Sequence, residues 1–193
     1  ATQKMICLDG IFDREITHLL NCSFLNARSE DALNLIRCDF KIDGILVDGT
    51  YSDGFDADFC SGIIMNSTIR STGNDCVDFS AGNYELGNLN LKNCGDKALS
   101  VGEKSKVSLK KIIAENSNMG VASKDSSIVT MKEVYLNNLE TCVAAYNKKQ
   151  EFNGGFINIQ NMKCENFYKK ADIDSYSKIF EKNIALKNYD VDN

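Results

Sequence analysis

Residues 52–102 read SDGFDADFCSGIIMNSTIRSTGNDCVDFSAGNYELGNLNLKNCGDKALSVG, and one phrase recurs in them three times: SDGFDADF at 52–59, NDCVDFS at 74–80 and DKALSVG at 96–102. Gly54, Cys76 and Ala98 lie 22 residues apart, each followed by an apolar residue, Phe55, Val77 or Leu99. An internal period of this length marks a solenoid, because one repeat cannot bury its own apolar face and must stack on its neighbours.

Working outward, the period predicts three apolar columns. Leu25, Val47, Ile69, Leu91, Ile113 and Tyr135 form the first. Leu33, Phe55, Val77, Leu99, Val121 and Val143 form the second, and Leu35, Ala57, Phe79, Val101, Ser123 and Ala145 the third. The second and third columns stand two residues apart with a polar residue between, which is the alternation of a strand. Val107-x-Leu109, Val129-x-Met131 and Ile157-x-Ile159 suggest a second strand per repeat, with its phase blurred at Ile63, Ile64 and Leu86. Ala32, Gly54, Cys76, Ala98, Gly120 and Cys142 make a column of small residues, as a tight bend against the core demands. A bulky residue at Gly120 should overpack that bend, at a cost of about 1–3 kcal/mol.

Short β segments, turns rich in Asn, Gly and Asp, and no amphipathic helix predict an all-β fold. The expected architecture is a right-handed parallel β-helix (solenoid) of about six to seven coils with a 22-residue period. It is read as a single domain over 1–193, with an N-terminal cap over 1–20, coils over 21–167 and a closing coil and tail over 168–193. NKKQEFNGG interrupts the period near 146–155 and predicts a loop bulging from one corner. A leucine-rich repeat would need its consensus sustained, and ankyrin or tetratricopeptide units would need helices.

Composition narrows the function. The formal net charge is −5, against a nucleic-acid partner, which needs a surplus of Lys and Arg. No apolar run is long enough to span a membrane. Pro is absent, so turns fall to Gly, Asn, Asp and Ser. The eight cysteines include no Cys-x-x-Cys pair, which argues against structural zinc or a thioredoxin-like motif. They are read either as a disulfide framework or as buried thiols acting as small hydrophobes, and Cys38 and Cys60, one period apart, are the first pair to test. His18, the only histidine, lies in the cap segment away from the repeated surface. A glycine-rich nucleotide loop and a repeated Thr-x-Thr ice-binding array are both missing.

The outward columns carry the chemistry. The residue before each small one gives Asp31, Asp53, Asp75, Lys97, Met119 and Thr141; two places after it run Asn34, Asp56, Asp78, Ser100, Ala122 and Ala144. With Asp58, these acids should stack at about the 4.8 Å strand spacing. The acids gather between Asp31 and Asp78 and stop at Lys97. Three readings compete. The acids are solvated corner residues bonding the backbone; or Asp53, Asp56, Asp75 and Asp78 hold Ca²⁺, a hard cation that prefers several oxygens; or a carboxylate pair performs acid–base chemistry on a polysaccharide.

SEDALNLI, SDGFDADF, NSTIRSTGNDCVDFS, GDKALSVGEKS and GVASKDSS resemble bacterial surface and extracellular β-helix repeats. Over residues 31–166 the chain looks like the right-handed parallel β-helix proteins of the pectin-lyase-like superfamily. More distantly, Ser52-Asp53-Gly54, Asn74-Asp75-Cys76 and Cys94-Gly95-Asp96 resemble successive polygalacturonase signatures. Asp53 and Asp75 match acidic positions of that family, but Asn74 stands for a paired aspartate and Lys97-Ala98 for the His-Gly; no Arg-Ile-Lys equivalent exists unless Lys124 supplies its basic end.

The resemblance implies an extracellular or cell-surface domain engaging a polysaccharide or surface partner, although the given chain shows no signal peptide. Tyr51, Asp31, Asp56, Asp58 and Lys124, with Lys104, Lys148 and Lys149, would line its groove. The alternative is a lyase or hydrolase of acidic polysaccharide using Asp53, Asp75, Asp78 and Lys97. A third reading is a structural segment of a larger assembly that associates end to end.

Overall fold

A computed structural model describes residues 6–9 and 16–190. It is an all-β parallel solenoid of about eight turns, without a helix among the described residues. The first turn holds β1 (Ile6–Asp9), β2 (Ile16–Leu20) and β3 (Ser23–Ala27). The second holds β4 (Leu33–Ile36), β5 (Asp39–Asp43) and β6 (Leu46–Thr50). From there the last two legs of each coil merge: β7 (Phe55–Asp58) leads to β8 (Ser61–Thr72), and β9 (Val77–Ser80) to β10 (Asn83–Cys94). Next come β11 (Lys97–Gly102), β12 (Lys106–Lys124), β13 (Ile128–Tyr146) and β14 (Phe156–Ile173). β15 (Lys178–Glu181), β16 (Ile184–Ala185) and β17 (Tyr189–Asp190) close the chain.

The second and third columns stack as their spacing predicts. Leu33, Phe55, Val77, Leu99, Val121 and Val143 are Cα partners in turn, continued by Ile6 and Ala171. The first column needs correction. Val47, Ile69 and Leu91 stack, but the coils on either side are one residue longer, so Val47 pairs with Phe24 and Leu91 with Ala114. A one-residue slip turns a side chain to the opposite face. Leu25 and Tyr135 are therefore exposed, by 46% and 41%, and Ile113 also leaves the core for Ala114. The blurred phase of the second strand resolves too: Ile42, Ile64, Leu86, Leu109 and Met131 stack inward, while Ile63 lies outside. Gly62 faces the core where a Cβ would strike the Phe40 ring, and Phe40, Phe55, Phe79 and Tyr84 fill that space as one aromatic cluster.

The turn count exceeds the expected six to seven because both ends join the stack. β1 and β2, from the segment read as a cap, pair in parallel with β4 and β5, and β15 pairs in parallel with β14. The other residues of that segment (1–5 and 10–15) and the last three of the expected tail lie outside the described residues. At the far end β16 and β17 fold back antiparallel on β15 and β14, which occupies backbone groups that would otherwise form an open edge.

The small-residue column runs up one corner. A Cβ at Gly120 would come within 2.5 Å of the Cys142 carbonyl and 2.9 Å of Leu139, which is why bulk is excluded there. Two disulfides start from this column, Cys76–Cys94 and Cys142–Cys164. The pair singled out from spacing, Cys38 and Cys60, is adjacent but not joined by a disulfide: the two sulfurs share a hydrogen bond at 3.6 Å, and the Cys38 N–H donates to Cys60 Sγ at 3.3 Å.

Candidate functional site

The strands that carry the second and third columns inward, β4, β7, β9, β11 and the last legs of β12, β13 and β14, turn their alternate residues outward. Asn34, Asp56, Asp78, Ser100, Ala122 and Ala144 are successive Cα partners on this outer face. Beside them, Asp58 pairs with Ser80 and Ser80 with Gly102. The face divides in two. Toward the N-terminal end it holds Asp31, Asp53, Asp56, Asp58, Asp75 and Asp78; toward the C-terminal end the column continues as the buried Ala122 and Ala144.

Two of the acids do backbone work. Asp53 Oδ1 accepts the N–H of Asp75 at 2.7 Å and Asn74 Nδ2 at 2.8 Å. One coil further, Asp75 Oδ1 accepts the N–H of Lys97 at 2.9 Å, with Lys97 Nζ at 3.4 Å. This is the corner role weighed from the sequence, repeated at one period. Burial pushes the Asp53 carboxyl up to about 6, with the backbone bond from Asp75 opposing it. Asp75 is also raised, by burial first, against the pull of the Lys97 ammonium. Burial disfavours charge on Lys97, but its bond to Asp96 and the Asp75 charge outweigh that and hold it above the usual lysine range. Lys97 is thus locked between Asp75 and Asp96, and Asp75 is buried.

The remaining acids are less satisfied. Asn34 Nδ2 bridges Asp56 Oδ2 at 2.8 Å and Asp31 Oδ2 at 3.2 Å. Burial, then the charges of Asp58, Asp78, Asp31 and Asp53, push Asp56 up to about 8. Asp58 is raised by burial and by Asp78 and Glu103, with Lys149 opposing. Lys124 runs back across Gly102, where an added Cβ would lie 3.0 Å from its Cε, and brings Nζ to 3.7 Å from Asp78 Oδ1. That is an ion pair but too long for a hydrogen bond. Asp78 Oδ1, Asn34 Oδ1 and Ser100 Oγ are buried atoms without a hydrogen-bond partner. All three belong to one outward column.

The interrupting loop, 147–155, lies along the corner instead of standing off it. Asp125 Oδ1 accepts the N–H groups of Lys148 and Lys149 at 2.7 and 2.8 Å, and Lys149 pairs with Glu103. Lys104 Nζ stands over the Phe152 ring at 5.5 Å. Of the basic residues expected in a groove, Lys104 and Lys149 are thus engaged locally. Tyr51 is 80% exposed at the corner before Asp53 and lines a shallow groove of about 660 Å³ with Arg28 and Thr50. At the opposite corner of the same coil, Phe59 is 58% exposed with φ at +56° and the Arg37 guanidinium 5.8 Å from its ring centre. Sequence reasoning missed Phe59, because an aromatic at a corner has no periodic signature.

The four aspartates weighed as Ca²⁺ ligands do not gather: no group of three or more His, Cys, Asp or Glu side chains among the described residues is arranged to hold a metal. A separate groove of about 530 Å³, lined by Lys41, Ile63, Glu85 and Ile128 among others, lies on another leg of the coil and shares none of the acidic column. No helix among the described residues is long and apolar enough to cross a membrane. Compared with known proteins, the chain matches no family model, no curated protein and no solved structure.

Proposed function

We propose that the chain is an extracellular β-solenoid that engages a glycan, without cleaving it, through the outer face that carries Asp31, Asp56, Asp58 and Asp78. The observation that carries this reading is the crowding of carboxylates on one outer face, where burial and then the charges of Asp58, Asp78, Asp31 and Asp53 push Asp56 up to about 8. Each strand beneath it already pairs on both sides, so recognition must run through side chains, as suits a polyhydroxylated chain. The two disulfides support an oxidising compartment.

A catalytic reading has one observation in its favour, the Asp53 carboxyl poised at about 6, within the range useful to a general acid. Against it, Asp75 and Lys97 are buried and tied to each other, so neither is presented to a substrate. A glycan array probed with the wild-type chain and an Asp78→Ala variant tests the proposal. Binding by wild type that is lost in the variant, with no release of sugar ends from the bound glycan, is expected. Turnover abolished by Asp53→Asn would replace this reading with the enzymatic one.

A further inference from the structure

We infer that Cys38 and Cys60 form a modification site, a dithiol that a small-molecule disulfide such as oxidised glutathione converts into a third covalent link between coils. Register sets the pair up. Cys38 follows β4 and Cys60 follows β7, at one corner in successive coils. Ile36 pairs with Asp58 on one side of that corner, and Asp39 with Ser61 on the other. The Arg37 N–H donates to the Asp58 carbonyl at 2.9 Å and the Ser61 N–H to the Cys38 carbonyl at 3.2 Å, so the backbones stay in register around the corner. Strands paired in this way hold opposed Cα atoms about 4.8 Å apart, a separation that a disulfide spans. The sulfurs already lie 3.6 Å apart. Linking them takes a side-chain movement and no slip of the strands.

The two thiols differ in what they can do. Cys60 is 2% exposed, and burial pushes its thiol up to about 12. Its sulfur lies 3.2 Å from the Asp58 carbonyl and 3.4 Å from the Leu35 carbonyl, both acceptors for its hydrogen. A buried, protonated thiol is slow to attack an external oxidant. Cys38 is half-buried and is the sulfur such an oxidant can reach. Its thiolate attacks one sulfur of the glutathione disulfide and expels a glutathione thiolate, which takes up the proton that Cys38 lost. Cys60 Sγ then attacks the Cys38 sulfur of the mixed disulfide, and the second glutathione leaves with the Cys60 proton. The cysteine pair loses two electrons and two protons, and one glutathione disulfide becomes two thiols.

The link would close a part of the stack that the other two leave open. Cys76–Cys94 and Cys142–Cys164 both lie further along the chain, and among the described residues no disulfide ties the coil of β4–β6 to that of β7 and β8. Cys22 has no such opportunity: it precedes the Ser23–Leu46 pairing and so stands opposite Ile45, with its thiol on the Leu20 carbonyl.

The test is incubation of the folded whole chain with oxidised glutathione, followed by protease digestion and mass spectrometry. The expected product is a peptide pair joined through Cys38 and Cys60, lighter by two hydrogens than the separate peptides. Amide exchange in β4, β5 and β7 should slow by at least about tenfold, as closing a loop of this length predicts. In Cys60→Ala the reaction should stop at a glutathione adduct on Cys38, and in Cys38→Ala the buried Cys60 should stay unmodified until urea is added. Wild-type Cys38 that stops at the glutathione adduct, or that remains fully open to alkylation alongside Cys60 after oxidation and unfolding, would overturn the assignment. Equal rates of linking in the folded and the urea-unfolded chain would also overturn it, since the folded register would then contribute nothing.

Discussion

Asp56 is the residue at which fold and site conflict. Its place in the sheet is dictated by Ala57 and Phe55, which point into the core on either side of it, so it must face outward among Asp31, Asp53, Asp58 and Asp78. The folded protein therefore favours a proton on Asp56, with its carboxyl at about 8 against an ordinary 3.8. Between those values the folded state binds a proton that the unfolded chain has released, so stability falls as pH rises through the window. Asp53, raised to about 6, adds a contribution of the same sign over the lower part of it. Asp48 and Asp174 act oppositely: both are held low, Asp48 chiefly by Arg70 and Asp174 by backbone N–H groups that outweigh its burial, so their contribution is lost only at more acid pH. The melting temperature should thus peak at mildly acidic pH and decline toward pH of about 8. Asp56→Asn should flatten the decline and melt higher than wild type on the alkaline side. A wild-type melting temperature that climbs from about pH 5 to about pH 8 would show that Asp56 ionises without penalty.

At the scale of the coil, the corners hold the strands in register. Asn93, Asn116 and Asn138 occupy one corner in successive coils, all with φ between +53° and +57°. Asn138 Nδ2 donates to Asn116 Oδ1 at 2.8 Å, and Asn116 Nδ2 to Asn93 Oδ1 at 2.9 Å, so the side chains form their own ladder parallel to the backbone one. A second such run joins Asn88, Asn66 and Asp43. Asn suits both demands, since it tolerates the left-handed conformation and carries a donor and an acceptor on one short side chain. Replacing Asn116 by Ala removes two ladder bonds and places a poorer residue at positive φ. The expected loss is about 1–3 kcal/mol in denaturant unfolding, given about 1 kcal/mol for each hydrogen bond. Asn116→Gly, which relieves the backbone strain but not the lost bonds, should cost less; equal losses from the two would assign the whole effect to the side-chain ladder.

Over the whole molecule, what could be read from the sequence is what repeats. The second and third columns and the small-residue corner recur every 22 residues in the middle coils, and the structure stacks them so. The acidic column was legible for the same reason, since Asn34, Asp56, Asp78 and Ser100 share the period. Features set by one coil alone were not. The extra residue that turns Leu25 and Tyr135 outward, the loop that lies back on Glu103 and Asp125, and the reach of Lys124 across Gly102 depend on contacts without a periodic trace. The cysteines show the same division. Cys38 and Cys60 are one period apart yet only hydrogen-bonded, whereas Cys76–Cys94 spans 18 residues and links the small-residue corner before β9 to the end of β10. Cys142–Cys164, across 22 residues, links a position inside β13 to one inside β14 in the next coil. Each closes a loop whose chain-entropy contribution is about 3 kcal/mol, and each acts on a different part of a stack in which coils touch only their neighbours. Cys142→Ala with Cys164→Ala should therefore loosen the C-terminal coils before the rest. Hydrogen exchange should speed in β14 and β15 while β7 and β9, held by Cys76–Cys94, keep wild-type protection. Uniformly faster exchange along the whole solenoid would show instead that the coils unfold as one cooperative unit.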